Sequence, residues 1–96
     1  MDTNELIAVK AFCEGHRIEV SFVTALTDFS LIEIIQVGGD IFVPRHQLPE
    51  LEKLARLHKE LNINPEGLDA VLHLLGKVQA MQLEIDTLQK RLKLYE

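Results

Sequence analysis

Cysteine is almost missing from this chain of 96 residues, tryptophan is missing altogether, and only three prolines and five glycines interrupt it. Cys13 alone cannot close an internal disulfide, which fits a reducing compartment. So few breakers beside 47% apolar residues exclude a disordered or low-complexity chain. No apolar run approaches the roughly 20 residues that a membrane helix needs. "MDTNEL" at the N-terminus is acidic where a secretory leader is basic, so a cytoplasmic protein without a membrane segment is expected.

Recognisable chemistry is scarce too. Gly38-Gly39 reads as a turn rather than a phosphate cradle, and Ser21 and Ser30 stand beside no recognisable base. No enzymatic activity is expected. Cys13-x-x-His16 has a spacing seen in metal sites but supplies only two ligands, and His46, His58 and His73 fall on separate segments. Cys13 reads as a small buried apolar residue, and neither metal nor cofactor is expected.

Positive charge is missing where it matters most. From Glu19 to Val43 there is no lysine or arginine, only Glu19, Asp28, Glu33 and Asp40. Residues 1–43 hold two bases and seven acids, so the whole net charge of −5 lies there, while residues 44–96 sum to zero. Such a field repels phosphate and attracts basic surfaces.

What is present is periodicity. Val9, Phe12 and Cys13 have helical spacing within Ala8–His16, with Gly15 as a stop; Ile18, Phe22, Val23 and Leu26 share a face of a second short helix. "LIEIIQVGGDIFVP" then places β-branched runs around Gly38-Gly39-Asp40, a hairpin that Pro44 closes. Helical spacing returns from Pro49 with Leu51, Leu54, Leu57 or His58, and Leu61. "NINPEG" makes a corner, Asn64 caps the next helix and Pro65 opens it, and Leu68, Val71, Leu72 and Leu75 supply its apolar face.

The tail carries a heptad seam: Val71, Leu74, Val78, Met81, Ile85, Leu88, Leu92 and Tyr95 alternate spacings of three and four. A helix from Pro65 to Tyr95 is about 45 Å long, beyond what a domain with a radius of gyration of about 12 Å can cover. The seam folds back, meets another protein, or pairs with a second copy. Pairing into a homodimer through Val78, Met81, Ile85, Leu88, Leu92 and Tyr95 is the expectation. The mixed flanks, Lys77, Glu84 and Arg91 against Gln82, Gln89 and Glu96, leave parallel and antiparallel pairing open.

Two helices, a hairpin, a helix pair and a coiled-coil tail follow the order of MerR-type winged-helix proteins. "FCEGHRIEVSFVTALTDFSLIEI" resembles their first two helices, "GGDIFV" their wing, and "LPELEKLARLHKELNINPEGLDAVLHLL" their second helix pair. Within that superfamily "AFC", "LARLHKELNINPEGLDAVLHLLGKV" and the terminal "LQKRL" are similar to the CbpM chaperone-modulator family. The resemblance implies a mainly α fold: a MerR-like winged helix-turn-helix with a small two-stranded wing over residues 1–75. The last helix continues into a coiled-coil tail over residues 76–96.

DNA-binding relatives carry an arginine on the second helix and another beside an aromatic in the wing. Here Thr24 stands at the first position, and the wing reads Asp40-Ile41-Phe42-Val43. MerR-type metal sensors carry cysteines near the dimer helix, and residues 44–96 have none. The resemblance therefore implies a protein ligand. CbpM-like proteins bind the J-domain of a CbpA/DnaJ-type co-chaperone and restrain it, and J-domains present a basic helix. Glu19, Asp28, Glu33 and Asp40 are the expected charge contacts, with Phe29 or Phe42 as an apolar anchor. The alternative, from element order alone, is a small MerR-family DNA-binding regulator.

Overall fold

A computed structural model describes residues 5–95. A short strand, β1 (Leu6–Ala8), runs directly into helix α1 (Val9–His16), which buries Val9, Phe12 and Cys13 as the spacing requires. Gly15 lies inside this helix rather than stopping it. The left-handed residue is Arg17, at φ 56°, and the N–H groups of Arg17 and Ile18 both turn back to the Cys13 carbonyl. Such a double return closes a helix whichever residue takes the left-handed position, at about 1 kcal/mol for a side chain other than glycine. Lys59 Nζ donates to the His16 carbonyl at 2.7 Å and satisfies one more acceptor at that end.

Helix α2 (Val20–Asp28) buries Phe22, Val23 and Leu26. It closes by the same device: Ser30 is left-handed at φ 58°, and the Leu31 N–H reaches the Leu26 carbonyl at 3.1 Å. The following loop is clamped by Gln47, whose side-chain amide accepts from the Glu33 N–H at 2.9 Å and donates to the Glu33 carbonyl at 3.3 Å.

The hairpin forms as expected, from β2 (Ile35–Val37) and β3 (Asp40–Pro44). Gly38 and Gly39, at φ 56° and 88°, supply the two positive torsions of its tight turn. This two-stranded wing is extended by a third strand that the sequence reading leaves out. β1 pairs with the other edge of β3, Leu6 opposite Pro44 and Ala8 opposite Phe42, so β3 lies in the middle of a three-stranded antiparallel sheet.

Helix α3 (Leu48–Leu61) follows a single 3-10 turn and packs Leu51, Leu54 and Ala55 inward; Leu61, assigned to that face by its spacing, is exposed. Asn62 ends it at φ 55°, and Asn64 opens α4 (Pro65–Leu94), its Oδ1 accepting from the Gly67 N–H at 2.7 Å. A Cβ on Gly67 would stand 2.8 Å from Ile63 Cγ2 and 3.1 Å from Asn64 Oδ1, so the tight corner itself requires glycine. Leu68 is fully buried and locks α4 onto the single core, with Ile63 packed beside it.

Beyond Leu72 the helix leaves the core. Every residue from His73 to Tyr95 is exposed, and the chain spans 62 × 33 × 21 Å with a radius of gyration of 17.9 Å. The tail therefore does not fold back on its own domain. Among the described residues no helix is long and apolar enough to cross a membrane.

Candidate protein-docking face

Helix α2 is the second helix of the helix-turn-helix arrangement, and its own surface offers little to a phosphate. Val20, Ser21 and Asp28 are exposed, Thr24 and Ala25 half-buried. Its hydroxyls are engaged locally. Thr24 Oγ1 donates to the Ser21 carbonyl at 3.0 Å, Thr27 Oγ1 to the Thr24 carbonyl at 2.5 Å, and Ser21 Oγ to the Glu19 carboxylate at 3.2 Å. No cation stands on α2 or on the wing strands β2 and β3. Duplex binding depends on cations that displace counterions from phosphates, and these three elements supply none, while Lys10, Arg17 and Lys59 line the grooves beside them.

The four carboxylates expected at the site are all exposed, at the two ends of α2, in the loop after it and at the start of β3. Glu19 precedes α2 without capping it, because its carboxylate accepts from Ser21 instead. Asp40 follows the glycine turn, with half-buried Phe42 two residues on in β3. Asp28 ends α2, half-buried Phe29 follows it, and Glu33 sits in the clamped loop. Across the nine residues of α2 the two ends stand about 13 Å apart.

Two surface grooves divide the near end. One runs between α1, the first residue of α2 and β3; Ala8, Ala11, Val20, Ile41 and Phe42 line it, with Lys10, Glu14 and Asp40. The other holds Glu19 beside Arg17, Phe22, His58 and Lys59. Asp28, Phe29 and Glu33 line neither. Lys10, Glu14 and Val20 are the residues that the sequence reading leaves out. The available signal was that Lys10, Ala11 and Glu14 share the side of α1 turned away from Val9, Phe12 and Cys13.

Among the described residues no group of three or more His, Cys, Asp or Glu could hold a metal ion. Cys13 is buried, and desolvation pushes its thiol above the ordinary range, which keeps it neutral. The His16 ring stacks on Phe12 with centroids 4.1 Å apart, and its Nδ1 lies 3.1 Å from the Phe12 carbonyl. His58 stacks on Phe22 at 4.2 Å, with Nδ1 2.8 Å from the Ile63 carbonyl. A carbonyl only accepts, so Nδ1 carries the proton in both rings. These side chains fasten helix ends.

The seam residues Val78, Met81, Ile85, Leu88 and Leu92 lie on one face of α4 and Tyr95 follows at its C-cap, all exposed. So are Leu83 and Leu94 on its opposite side.

A family model described as MerR HTH family regulatory protein matches residues 7–90, from β1 to the last turns of α4. Neither the curated proteins nor the solved structures gave a match.

Proposed function

The chain belongs to the MerR HTH regulatory-protein family, and from that premise we propose that it is a non-enzymatic chaperone modulator of the CbpM kind. It docks the J-domain of a CbpA/DnaJ-type co-chaperone through the acidic side of its winged helix, restrains that co-chaperone, and works in the cytoplasm without cofactor. The observation that carries this reading is the outward surface of α2 and the wing, where exposed carboxylates and apolar side chains stand and no cation does. Charge of that sign speeds encounter with a basic helix and fixes its register, while a desolvated apolar centre supplies affinity. The similarity of "LARLHKELNINPEGLDAVLHLLGKV" to CbpM proteins supports the choice of partner. The exposed seam supports a homodimer as the working unit.

Calorimetric titration with the J-domain of the co-chaperone from the same cell tests the reading. Binding should be measurable at about 50 mM salt and weaken by about 200 mM. An absence of heat at the lower salt removes it. A second reading, a DNA-binding regulator, is favoured by the family match and by Arg17 and Lys59 beside the start of α2. Retarded genomic fragments at ordinary salt, released by changes within Glu19–Val43, would place it first.

A further inference from the structure

We propose that the groove between α1, Val20 and β3 seats a cationic amphipathic helix of the partner, Glu14 and Asp40 holding its charges and Val20 and Ile41 its apolar side chains. This location rests on the J-domain reading above and narrows it, because Asp28, Phe29 and Glu33 fall outside the seat.

The α1 wall of the groove is that helix's outer side, since Val9, Phe12 and Cys13 are spent on the core. Ala11 on α1 and Ala8 at the end of β1 are short, so the wall is low and leaves a trough. Val20 leaves 40% of its surface uncovered at the start of α2, where a β-branched apolar side chain gains nothing from water. Ile41 and Phe42, both half-buried, complete an apolar floor. The acids stand at its rims, Glu14 on α1 and Asp40 at the tip of the wing. Lys10, one turn before Glu14 on the same face, gives the trough a direction: the basic end of the ligand belongs beside Glu14 and Asp40.

The sheet decides between a helix and a strand as occupant. Strand addition needs a free edge of backbone N–H and C=O groups. β3 forms this side of the groove with both its edges taken, by β1 and by β2, and of the edge strand β1 only its last residue, Ala8, where the chain turns into α1, lines the groove. A ligand here meets side chains only, which suits a helix offering anchors at i, i+3 and i+7 with lysine or arginine beside them.

Titration of the J-domain at about 150 mM salt, where the field reaches about 8 Å, separates this seat from the remainder of the face. Ala11→Trp fills the trough from an exposed helix position and should abolish binding; circular dichroism checks that the fold is kept. Glu14→Lys and Asp40→Lys should each weaken binding about tenfold, and Lys10→Glu should strengthen it several-fold. Asp28→Lys and Glu33→Lys should leave it within about twofold. If Ala11→Trp binds normally while Asp28→Lys and Glu33→Lys do not, the seat is wrong and the J-domain reading stands. If the wild type ignores the J-domain, that reading falls and a synthetic Leu/Lys amphipathic helix judges the groove alone. Binding of that peptide that Ala11→Trp abolishes would keep the seat, and any other result would end it.

Discussion

Placing aspartate at Ile85 and Leu88 together should convert the protein from a dimer to a monomer. Leu74, Val78, Met81, Ile85, Leu88 and Leu92 are 46–64% exposed along α4. Full burial of such a side chain is worth about 1.5–3 kcal/mol. With roughly half already shielded by the helix itself, pairing gains about 1 kcal/mol for each, or about 12 kcal/mol over two chains. With the association cost at its lower end, about 4 kcal/mol, a dissociation constant on the order of micromolar follows. Aspartates at both positions forfeit about 4 kcal/mol in the pair. They also desolvate four carboxylates in the seam, at a further cost of several kcal/mol. The constant should rise at least a thousandfold. Light scattering at roughly fifty micromolar should give twice the 10.9 kDa chain mass for the wild type and the single mass for the variant. Thr87→Asp, off the seam, should remain dimeric. A variant that keeps the double mass, or a wild type that is monomeric at every concentration, would refute the reasoning.

Three further outcomes concern the globular half. Gly67→Ala drives a methyl against Ile63 and Asn64 and should cost about 1–2 kcal/mol, read as a melting point lower by several degrees. His58→Phe should keep the stack on Phe22 while leaving the Ile63 carbonyl without its donor. A loss of about 1 kcal/mol in urea unfolding is expected, and His58→Ala should lose more. Burial raises the Cys13 pKa in the folded state, so the unfolded thiol ionises first as pH rises. Stability should therefore be intact below the ordinary thiol range, about 8.5, and decline as pH climbs from there through the raised folded value. Urea midpoints of wild type and Cys13→Ala should diverge above that range, and thiol reagents should label the native chain slowly.

Local signals were readable because each has a local cause. Asn64 and Pro65 state a helix start by capping chemistry, and paired glycines before Asp40 state a tight turn. The tail was readable because a seam repeated at 3.5 residues is one-dimensional information. β1 was not readable: three residues running straight into a helix carry no alternation, and they become a strand only by pairing with Phe42–Pro44, far along the chain. Arg17 in place of Gly15 as the left-handed residue shows the same limit, since the position of the stop is fixed by where Ile18 must enter the core. The acidic region was visible as composition, but not its partition. Glu19, Asp28, Glu33 and Asp40 look alike in sequence, and only the crossing of α1 over the sheet joins Asp40 to Glu14 and Val20 and sets Asp28 and Glu33 apart.

If charge alone has turned a DNA-reading scaffold towards proteins, restoring charge should turn it back. Thr24 and Asp40 are the positions to change. Thr24 lies on the outer side of α2 with its hydroxyl bonded along its own helix, and Asp40 starts the wing strand in the open. Neither contributes to the core, so Thr24→Arg with Asp40→Arg should fold, and the long side chains reach past the helix and wing surfaces to solvent. Two cations replace a neutral and an anionic residue on the face that meets a duplex. Each phosphate so engaged contributes about −0.9 to the slope of log affinity against log salt. A dimer presenting two such faces should therefore acquire a slope near −4 and retard DNA at about 50 mM salt, releasing it by about 200 mM. The same variant should bind the J-domain about tenfold more weakly, because Asp40 leaves the groove. Were the wild type to retard DNA as strongly as the variant, the carboxylates would not be what keeps this winged helix off DNA, and the protein-docking reading would lose its physical ground.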